Sequence, residues 1–193
     1  MAYEQVEVRQ ESVASLRDYF MVPISFMVRS RFLVGRRDGT LGGYALSEEA
    51  VEPAYLKDYD EGERRERWLK FGSLDNWGFW GAFVDAERVG GAVVAHDTPN
   101  VHMLKGRRDL AVLWDLRVRP DRRGQGVGKL LLEAALAWSR SRGCTQLDVE
   151  TQNNNVPACR FYESRGCELT EANPKAYPEH PDETQLIWSL AIA

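Results

Sequence analysis

The sequence has few of the features that mark a secreted or metal-binding protein. It contains only three cysteines, Cys144, Cys159 and Cys167, in 193 residues, and no pair of them has CxxC spacing. An odd number without that spacing argues against a disulfide framework and against a zinc site, so we expect no metal ion. Each thiol is predicted to be a small, partly buried apolar side chain.

Long hydrophobic runs are also missing. No apolar run approaches the roughly 20 residues that cross a bilayer. Residues 1–10 alternate charged and apolar side chains and lack the apolar core of a signal peptide. We therefore expect a cytoplasmic protein with no membrane partner. Hydrophobic residues make up 44% of the chain and charged residues 28%, which excludes a disordered or fibrous chain and fits a single globular domain.

Charge is unevenly distributed, although the net charge is only −4. Residues 47–66 contain eight acidic side chains, whereas residues 117–129 contain five basic ones and the single acidic residue Asp121. The basic segment would suit an anionic ligand and the acidic segment a cationic one. An equal alternative is that both segments are solvent-exposed surfaces that bind no ligand. The chain carries no overall positive charge, so no nucleic-acid partner is expected.

The first hundred residues give weak secondary-structure signals. Residues 3–8 alternate like an edge strand, and Ser12 is a suitable N-cap for a short helix. Residues 26–34 mix apolar and basic side chains and lead into a predicted turn at 36–39. The acidic residues 47–66 are predicted to be helix or loop.

From residue 77 the periodicity is clear. We predict strands at 77–84, 89–95 and 110–118, a helix at 128–140, a strand at 146–151, a helix at 155–165 and a strand at 183–192. The first two strands form a hairpin, and the strand–helix–strand steps require a crossover within one sheet. The predicted fold class is α/β (α+β), with a mixed central β-sheet flanked by helices.

The segment Arg122 to Lys129, with glycines at 124, 126 and 128, lies between a predicted strand and a predicted helix. Glycines let the backbone turn tightly with its amides convergent, and the helix adds unpaired amides at its positive end. Such a loop suits a phosphate or pyrophosphate. Leu130 after Lys129 excludes a P-loop, and GxGxG spacing excludes the dinucleotide fingerprint. A helix entry that uses glycine without any ligand is the alternative.

Two motifs resemble those of the Gcn5-related N-acetyltransferase (GNAT) family. Residues 123–128 resemble its pyrophosphate-binding motif R-x-x-G-x-G, and residues 155–166 are similar to its motif N-x-x-A-x-x-F-Y-x-x-x-G. Cys167 departs from the phenylalanine that usually follows the second motif. Residues 150–162, with Glu-Thr-Gln at their start, further resemble the streptothricin acetyltransferase branch.

The resemblance implies a single N-acetyltransferase domain over residues 1–193. Residues 110–170 are then the acetyl-CoA-binding core, and residues 1–100 the acceptor-binding half. The implied reaction moves an acetyl group from acetyl-CoA to a primary amine of a small cationic molecule, such as a streptothricin-like antibiotic. The alternatives are acetylation of a protein lysine or amino terminus, and a non-catalytic acyl-CoA-binding regulator. A homodimer is a further expectation.

The resemblance also implies residue roles. The residues expected to bind acetyl-CoA are Leu116, Arg117, Val118, Arg123, Gly124, Gln125, Gly126, Val127, Gly128, Lys129 and Asn155. Tyr162 is expected to protonate the leaving thiolate, because a phenol can donate a hydrogen bond at neutral pH. The alternative for Tyr162 is core packing beside Phe161, and for Asn155 a helix cap.

Asp115 and Glu150 are the candidate bases. An exposed alkylamine has a pKa near ~10, so a proton must leave the acceptor before it attacks. Each carboxylate lies on a predicted strand, and a carboxylate inside an apolar strand is costly unless it is paired or functional. An ion pair with Arg117 or Arg119 is the alternative role.

The acceptor pocket is expected to draw on acidic and aromatic residues of the first half. An enclosed acidic pocket would favour a small cationic acceptor, and an open groove a protein. The candidates are Glu48, Glu49, Glu52, Asp58, Asp60, Glu61 and Glu63, with Tyr55, Trp68, Trp77 and Trp80. The alternative for these residues is an acidic helix with core aromatics.

Overall fold

A computed structural model describes residues 5–37, 43–61, 68 and 72–192. The chain divides into two compact units, each built from separate segments. The first unit consists of Met1–Ser25, Asp58–Leu147 and Ile192–Ala193, and the second of Phe26–Lys57 and Asp148–Ala191. Parts of the predicted edge strand at 3–8 and of the predicted turn at 36–39 lie outside the described residues, and so does Glu63.

The described elements follow in chain order. The strands are β1 (Glu7–Glu11), β2 (Phe26–Arg36), β3 (Tyr44–Lys57), β4 (Trp77–Val84), β5 (Glu87–His96), β6 (Leu110–Val118), β7 (Gln146–Gln152), β8 (Glu168–Asn173) and β9 (Gln185–Ala191). The helices are α1 (Leu16–Tyr19), α2 (Val127–Ser141) and α3 (Val156–Ser164). Short 3₁₀ turns lie at Val13–Ser15, His102–Leu104 and Pro120–Arg122.

The first unit contains an antiparallel sheet in the order β1-β4-β5-β6. The bounds of β4 and β6 are those predicted from the sequence. Asp85 and Ala86 connect β4 to β5 with φ angles of 48° and 67°. Two consecutive positive φ angles are typical of the mirror-image turns whose twist suits a hairpin. The predicted hairpin is therefore confirmed, with β5 beginning two residues earlier than expected.

Both faces of this sheet are covered. Leu16, Tyr19 and Trp68 belong to a buried cluster with apolar residues of β4, β5 and β6. The adjacent glycines of β5 show what covers each face: a Cβ at Gly90 would lie 3.2 Å from side chains of α2, and a Cβ at Gly91 would lie 2.4 Å from the Tyr19 ring. Neighbouring strand residues point to opposite faces, so α2 packs on one side and Tyr19 on the other.

The second unit contains a sheet in the order β7-β9-β8 and a separate two-stranded ribbon of β2 and β3. The ribbon corrects the prediction that residues 47–66 are helix or loop, because β3 runs to Lys57. The signal was weak because β3 is acidic, largely exposed and interrupted by Pro53, which cannot donate to a strand ladder. The sequence also gave no prediction for β2 or β8, both rich in exposed residues.

The helices after the sheet agree with the predicted positions. Helix α2 spans one residue more at each end than expected, and α3 lies within the predicted 155–165. In the described part of the chain, no helix has both the length and the apolar character needed to cross a membrane. The cytoplasmic location and the lack of membrane and nucleic-acid partners stay predictions.

Candidate functional site

The glycine loop before α2 presents open backbone. Gly124 and Gly126 have φ angles of +75° and +87°, a region that favours glycine. Gly126 is the N-cap of α2, and as a glycine it makes no side-chain capping hydrogen bond. A Cβ at either glycine would meet no atom of the described residues within 4 Å. The first amides of α2 have no acceptor within the helix, so the loop offers a phosphate unblocked N–H donors at a positive dipole end.

The basic side chains near this loop are largely engaged elsewhere. Arg119 forms ion pairs with Glu87 and Asp121. Arg123 donates to two backbone carbonyl groups, at 3.0 and 2.8 Å. The attraction of the loop for an anion therefore rests more on backbone amides than the count of arginines suggested.

Asp115 belongs to a buried network in the first unit. Arg117, only 2% exposed, donates to both carboxylate oxygens at 2.9 and 2.7 Å. The Tyr19 hydroxyl donates to Oδ1 of Asp115 at 2.5 Å. Arg117 also pairs with Asp60 at 2.9 Å and donates to the Val22 carbonyl at 3.0 Å. The ion pair with Arg117, one of the two alternatives, is the arrangement found.

This network keeps Tyr19 protonated and Arg117 charged. Burial, followed by the charge of Asp115, raises the pKa of Tyr19 well above its ordinary value, so the phenol remains a donor. Desolvation acts to lower the pKa of Arg117, but the charge and hydrogen bonds of Asp115 outweigh it and the pKa is raised. The role of Asp115 as a base stays a prediction.

Glu150 lies on β7 in the second unit, partly exposed between the buried residues Val149 and Thr151. The Tyr177 hydroxyl donates to Oε1 at 2.5 Å, and Gln185 Nε2 donates to Oε2 at 2.6 Å. Gln152 Nε2 donates to the Tyr177 hydroxyl at 2.7 Å and reaches Oε1 of Glu150 at 3.4 Å.

Sequence reasoning missed Tyr177 and Gln185. They lie 27 and 35 residues beyond Glu150 along the chain. No local pattern marks either of them.

Asn155 and Tyr162 lie at the start and near the end of α3. Asn155 Oδ1 accepts a hydrogen bond from the Ala158 amide at 3.2 Å, so the helix-cap reading is confirmed. The cap uses the carbonyl oxygen of the side chain and leaves its NH₂ group to other acceptors. Tyr162 is 6% exposed, and its ring contacts Phe161 edge-on at 5.1 Å. Packing beside Phe161 is confirmed, and proton donation by Tyr162 stays a prediction.

The aromatic candidates for the acceptor pocket are mostly core residues. Trp68 and Trp77 belong to the buried cluster of the first unit. Trp80 packs edge-on against Trp138 at 5.7 Å. This corrects the expectation that the three tryptophans wall a pocket. Tyr55 is 41% exposed, and its hydroxyl accepts a hydrogen bond from an asparagine side chain.

Several acidic candidates are neutralised by cations. Glu48 pairs with Arg160, Glu49 pairs with Arg31 at 2.6 Å, and Asp60 pairs with the buried Arg117. The acidic segment is therefore a less strongly negative surface than its composition suggested.

A cavity of about 500 Å³ lies within the second unit. It is bounded by the ribbon, by a residue that follows β7, and by residues of β8 and of the β8–β9 connection, and it carries charges of both signs. Its lining residues are Arg31, Phe32, Leu33, Val34, Gly35, Arg36, Tyr44, Asn153, Ala172, Pro174, Asp182 and Thr184.

The cysteines have no arrangement for catalysis. All three are buried, as predicted, and none of them forms a disulfide. Burial raises the pKa of Cys159 and of Cys167 to about 11, which disfavours the reactive thiolate. Among the described residues, histidine, cysteine, aspartate and glutamate side chains form no group of three that could hold a metal ion.

Residues 43–167 match the model of the acetyltransferase (GNAT) family. The chain belongs to this family. It is 31% identical over 187 residues to the streptothricin acetyltransferase of Escherichia coli, which covers 95% of this chain and 94% of that protein. It is 29% identical over 131 residues to the streptothricin acetyltransferase of Streptomyces lavendulae, covering 67% and 65%. The predicted class, a GNAT N-acetyltransferase, and its resemblance to the streptothricin branch are confirmed.

Solved structures of GNAT proteins have the same fold. A Bacillus anthracis protein described as a streptothricin acetyltransferase, solved in complex with acetyl coenzyme A, has a TM-score of 0.78 at 24% identity, covering 97% of this chain and 99% of that one. Nourseothricin acetyltransferase has a TM-score of 0.74 at 22% identity, with the same coverage. These neighbours confirm the predicted α/β class with a mixed central sheet flanked by helices.

Proposed function

We propose that this N-acetyltransferase uses acetyl-CoA to acetylate a primary amine of a small cationic molecule, with a streptothricin-like antibiotic as the leading acceptor. The observation that carries the proposal is the relation to the streptothricin acetyltransferase of Escherichia coli, which extends over 95% of this chain. A relation of this extent includes the segments outside the shared donor motifs, where acceptor specificity would reside. The single domain over residues 1–193, with a donor core at 110–170 and an acceptor half at 1–100, is part of the proposal.

The glycine loop is assigned to the pyrophosphate of acetyl-CoA, which supplies the acetyl group as a thioester. Backbone amides from Gln125 to Lys129 would hold the phosphates, in agreement with the uncapped start of α2. Leu116, Arg117 and Val118 would contribute through their backbone, since the Arg117 side chain is committed to Asp115 and Asp60. The NH₂ group of Asn155 is assigned to the pantetheine arm.

Tyr162 is assigned as the general acid that protonates the leaving thiolate. A buried phenol stays protonated at neutral pH and can donate at the moment of departure. Its position on α3, packed against Phe161, limits the motion of the ring. A fixed donor suits a proton transfer that requires close alignment.

Glu150 is assigned to the acceptor amine in preference to Asp115. The charge of Asp115 is balanced by Arg117, and both of its oxygens accept hydrogen bonds from that side chain. Glu150 receives its hydrogen bonds from neutral groups, so its charge remains available to an ammonium group. Glu150 would bind the cationic amine and take its proton, directly or through water.

The cavity of the second unit is large enough for a small acceptor. Its volume of about 500 Å³ lies in the ~300–1,000 Å³ range of small-molecule sites. Its mixed charges would suit a polar acceptor with more than one functional group.

The test is acetyl-CoA turnover with a panel of amines: a streptothricin, simple polyamines, a lysine-bearing peptide and a peptide with a free amino terminus. Release of free coenzyme A and the mass gain of the acceptor are measured together. We expect the streptothricin to give the highest kcat/KM. Turnover with peptides alone would assign the protein-acetylating alternative, and acetyl-CoA binding without turnover of any amine would assign the regulator.

A further inference from the structure

Glu150 differs from two other acidic side chains of the second unit, Glu48 and Glu183, which form ion pairs. Glu183, in the same unit, pairs with Lys57 at 2.5 Å, and Glu48 pairs with Arg160. The hydrogen-bond partners of Glu150 in the described part of the chain are a tyrosine and two glutamines. Neutral donors fix a carboxylate in place without cancelling its charge.

The donors also leave a defined acceptor position on this carboxylate. An ionised carboxylate has about four lone-pair sites, two on each oxygen. Oε1 accepts from Tyr177 at 2.5 Å and from Gln152 at 3.4 Å, while among the described residues Oε2 accepts only from Gln185, at 2.6 Å. The remaining capacity therefore lies on Oε2, where an ammonium N–H or a bridging water can donate.

We propose that Tyr177 is a positioning residue that holds Glu150 with Oε2 turned to the acceptor amine, an inference that rests on the proposed function. Its hydrogen bond of 2.5 Å occupies Oε1 and stops the carboxylate from rotating about its last torsion. Gln152 holds the Tyr177 hydroxyl in turn, at 2.7 Å. Tyr177 itself does not contact the acceptor in this assignment.

The segment that carries Tyr177 is anchored well enough for this role. It connects β8 to β9 and is held to Asn153 at its far end. The Thr184 amide donates to Oδ1 of Asn153 at 2.8 Å, and the Asn153 amide donates to the Thr184 carbonyl at 3.0 Å. The adjacent Glu183 forms its ion pair with Lys57. A donor on an anchored segment keeps its geometry before the substrate arrives, which is what a positioning residue requires.

The test is a double-mutant cycle between Tyr177→Phe and Glu150→Gln in the full chain, measured as kcat/KM for the best amine. Tyr177→Phe removes one hydroxyl and keeps the ring. We expect it to lower kcat/KM for the amine roughly ten- to hundredfold, the range for a lost hydrogen bond to a charged group. The KM for acetyl-CoA should not change. In the Glu150→Gln background the same substitution should have little further effect.

Two further variants make the result decisive. Gln185→Met removes the donor to Oε2 and should behave like Tyr177→Phe in the cycle, which keeps the test valid if the tyrosine variant folds poorly. Thr170→Val, which removes hydrogen bonds between β8 and β9, should leave kcat/KM unchanged. If the parent chain turns over the amine and the effects of Tyr177→Phe and Glu150→Gln on kcat/KM are additive, Tyr177 does not position Glu150. That result would leave the proposed function in place. A wild-type chain without amine turnover would overturn the proposed function, and this inference with it.

Discussion

Carboxylates in this protein differ in what their neighbours allow them to do. Asp115 is bound by a guanidinium on both oxygens and by a phenol on one. Glu150 is bound only by neutral donors among the described residues. The first arrangement is structural, because removing Arg117 would leave the buried carboxylate of Asp115 without its cation. The second leaves a fixed negative charge, which is the property needed to bind an ammonium group.

Replacing Tyr162 by phenylalanine tests the proton donor. Because only a hydroxyl is lost, the packing against Phe161 should remain and acetyl-CoA affinity should hardly change. Turnover should fall about 10²–10⁴-fold, the usual effect of losing one acid–base group. Steady-state kinetics and a binding titration measure the two quantities. Parent-like turnover would leave Tyr162 with its packing role only.

The thiols should be unreactive in the folded protein. Burial holds the pKa of Cys159 and of Cys167 at about 11, so at pH 8 roughly one thiol in a thousand is ionised at either position. A disulfide reagent at pH 8 should label the native chain very slowly and all three cysteines rapidly in denaturant. Rapid labelling of the native protein at either residue would contradict the buried environment.

At the scale of elements, the start of α2 is the proposed donor site. Gly126→Asp should abolish acetyl-CoA binding, because it places a negative charge where the pyrophosphate is expected. Isothermal titration measures the affinity. Gly143→Asp is the matched control, since Gly143 follows the other end of α2 and also has a positive φ, +78°, with open space around it. Equal loss of affinity in both variants would point to backbone strain and remove the loop from the site.

The packing of α1 against β5 depends on glycine at position 91, which has no side chain to collide with Tyr19. A Cβ at Gly91 would lie 2.4 Å from the Tyr19 ring and 2.8 Å from a backbone oxygen. Gly91→Ala should therefore cost about 1–3 kcal/mol of unfolding free energy, as overpacking usually does. Gly35→Ala is the control, because its nearest neighbour is 4.0 Å away. Urea unfolding measures both, and equal stability of the two variants would contradict this packing.

The elements also show what a sequence can and cannot reveal here. The strands β4 and β6 were predicted with correct bounds because their buried, apolar runs are bounded by clear turn signals. The glycine loop and α3 were predicted because their motifs are contiguous. The ribbon was missed because its strands are largely exposed, so the hydrophobic pattern is weak. The partners of Glu150 were missed because only folding brings them together.

At the scale of the whole molecule, the uneven charge should make acceptor capture sensitive to salt. If a cationic amine is attracted by acidic side chains, its KM should rise with ionic strength, more steeply for polyamines than for monoamines. Screening is strong near 0.1 M salt, where the Debye length is about 10 Å. Initial rates between low and high salt measure the slope. Identical slopes for mono- and polycationic acceptors would make the acidic residues a solvated surface.

The variant for this test must avoid the paired carboxylates, because neutralising Asp60 would leave Arg117 short of a partner. Glu52, Asp58 and Glu61 form no ion pair in the described part of the chain, so Glu52→Gln, Asp58→Asn and Glu61→Gln together should flatten the salt dependence. The control makes the same change in net charge at other exposed positions, with Asp75→Asn, Glu163→Gln and Glu168→Gln.

The ribbon interrupts the first unit in a way that bears on how such enzymes diversify. The chain leaves the first unit after Ser25 and returns at Asp58, and the ribbon ends Phe26 and Lys57 are paired with each other. The ribbon is therefore an insertion into the first unit whose two ends are neighbours. The length and composition of the ribbon can change without moving Ser25 and Asp58, the residues of the first unit that flank it. Recombination that exchanged this one hairpin would leave the glycine loop before α2 unchanged. Under the proposal that residues 1–100 bind the acceptor, descendants of a common acetyltransferase would acquire new acceptors by exchanging a single contiguous stretch of their genes.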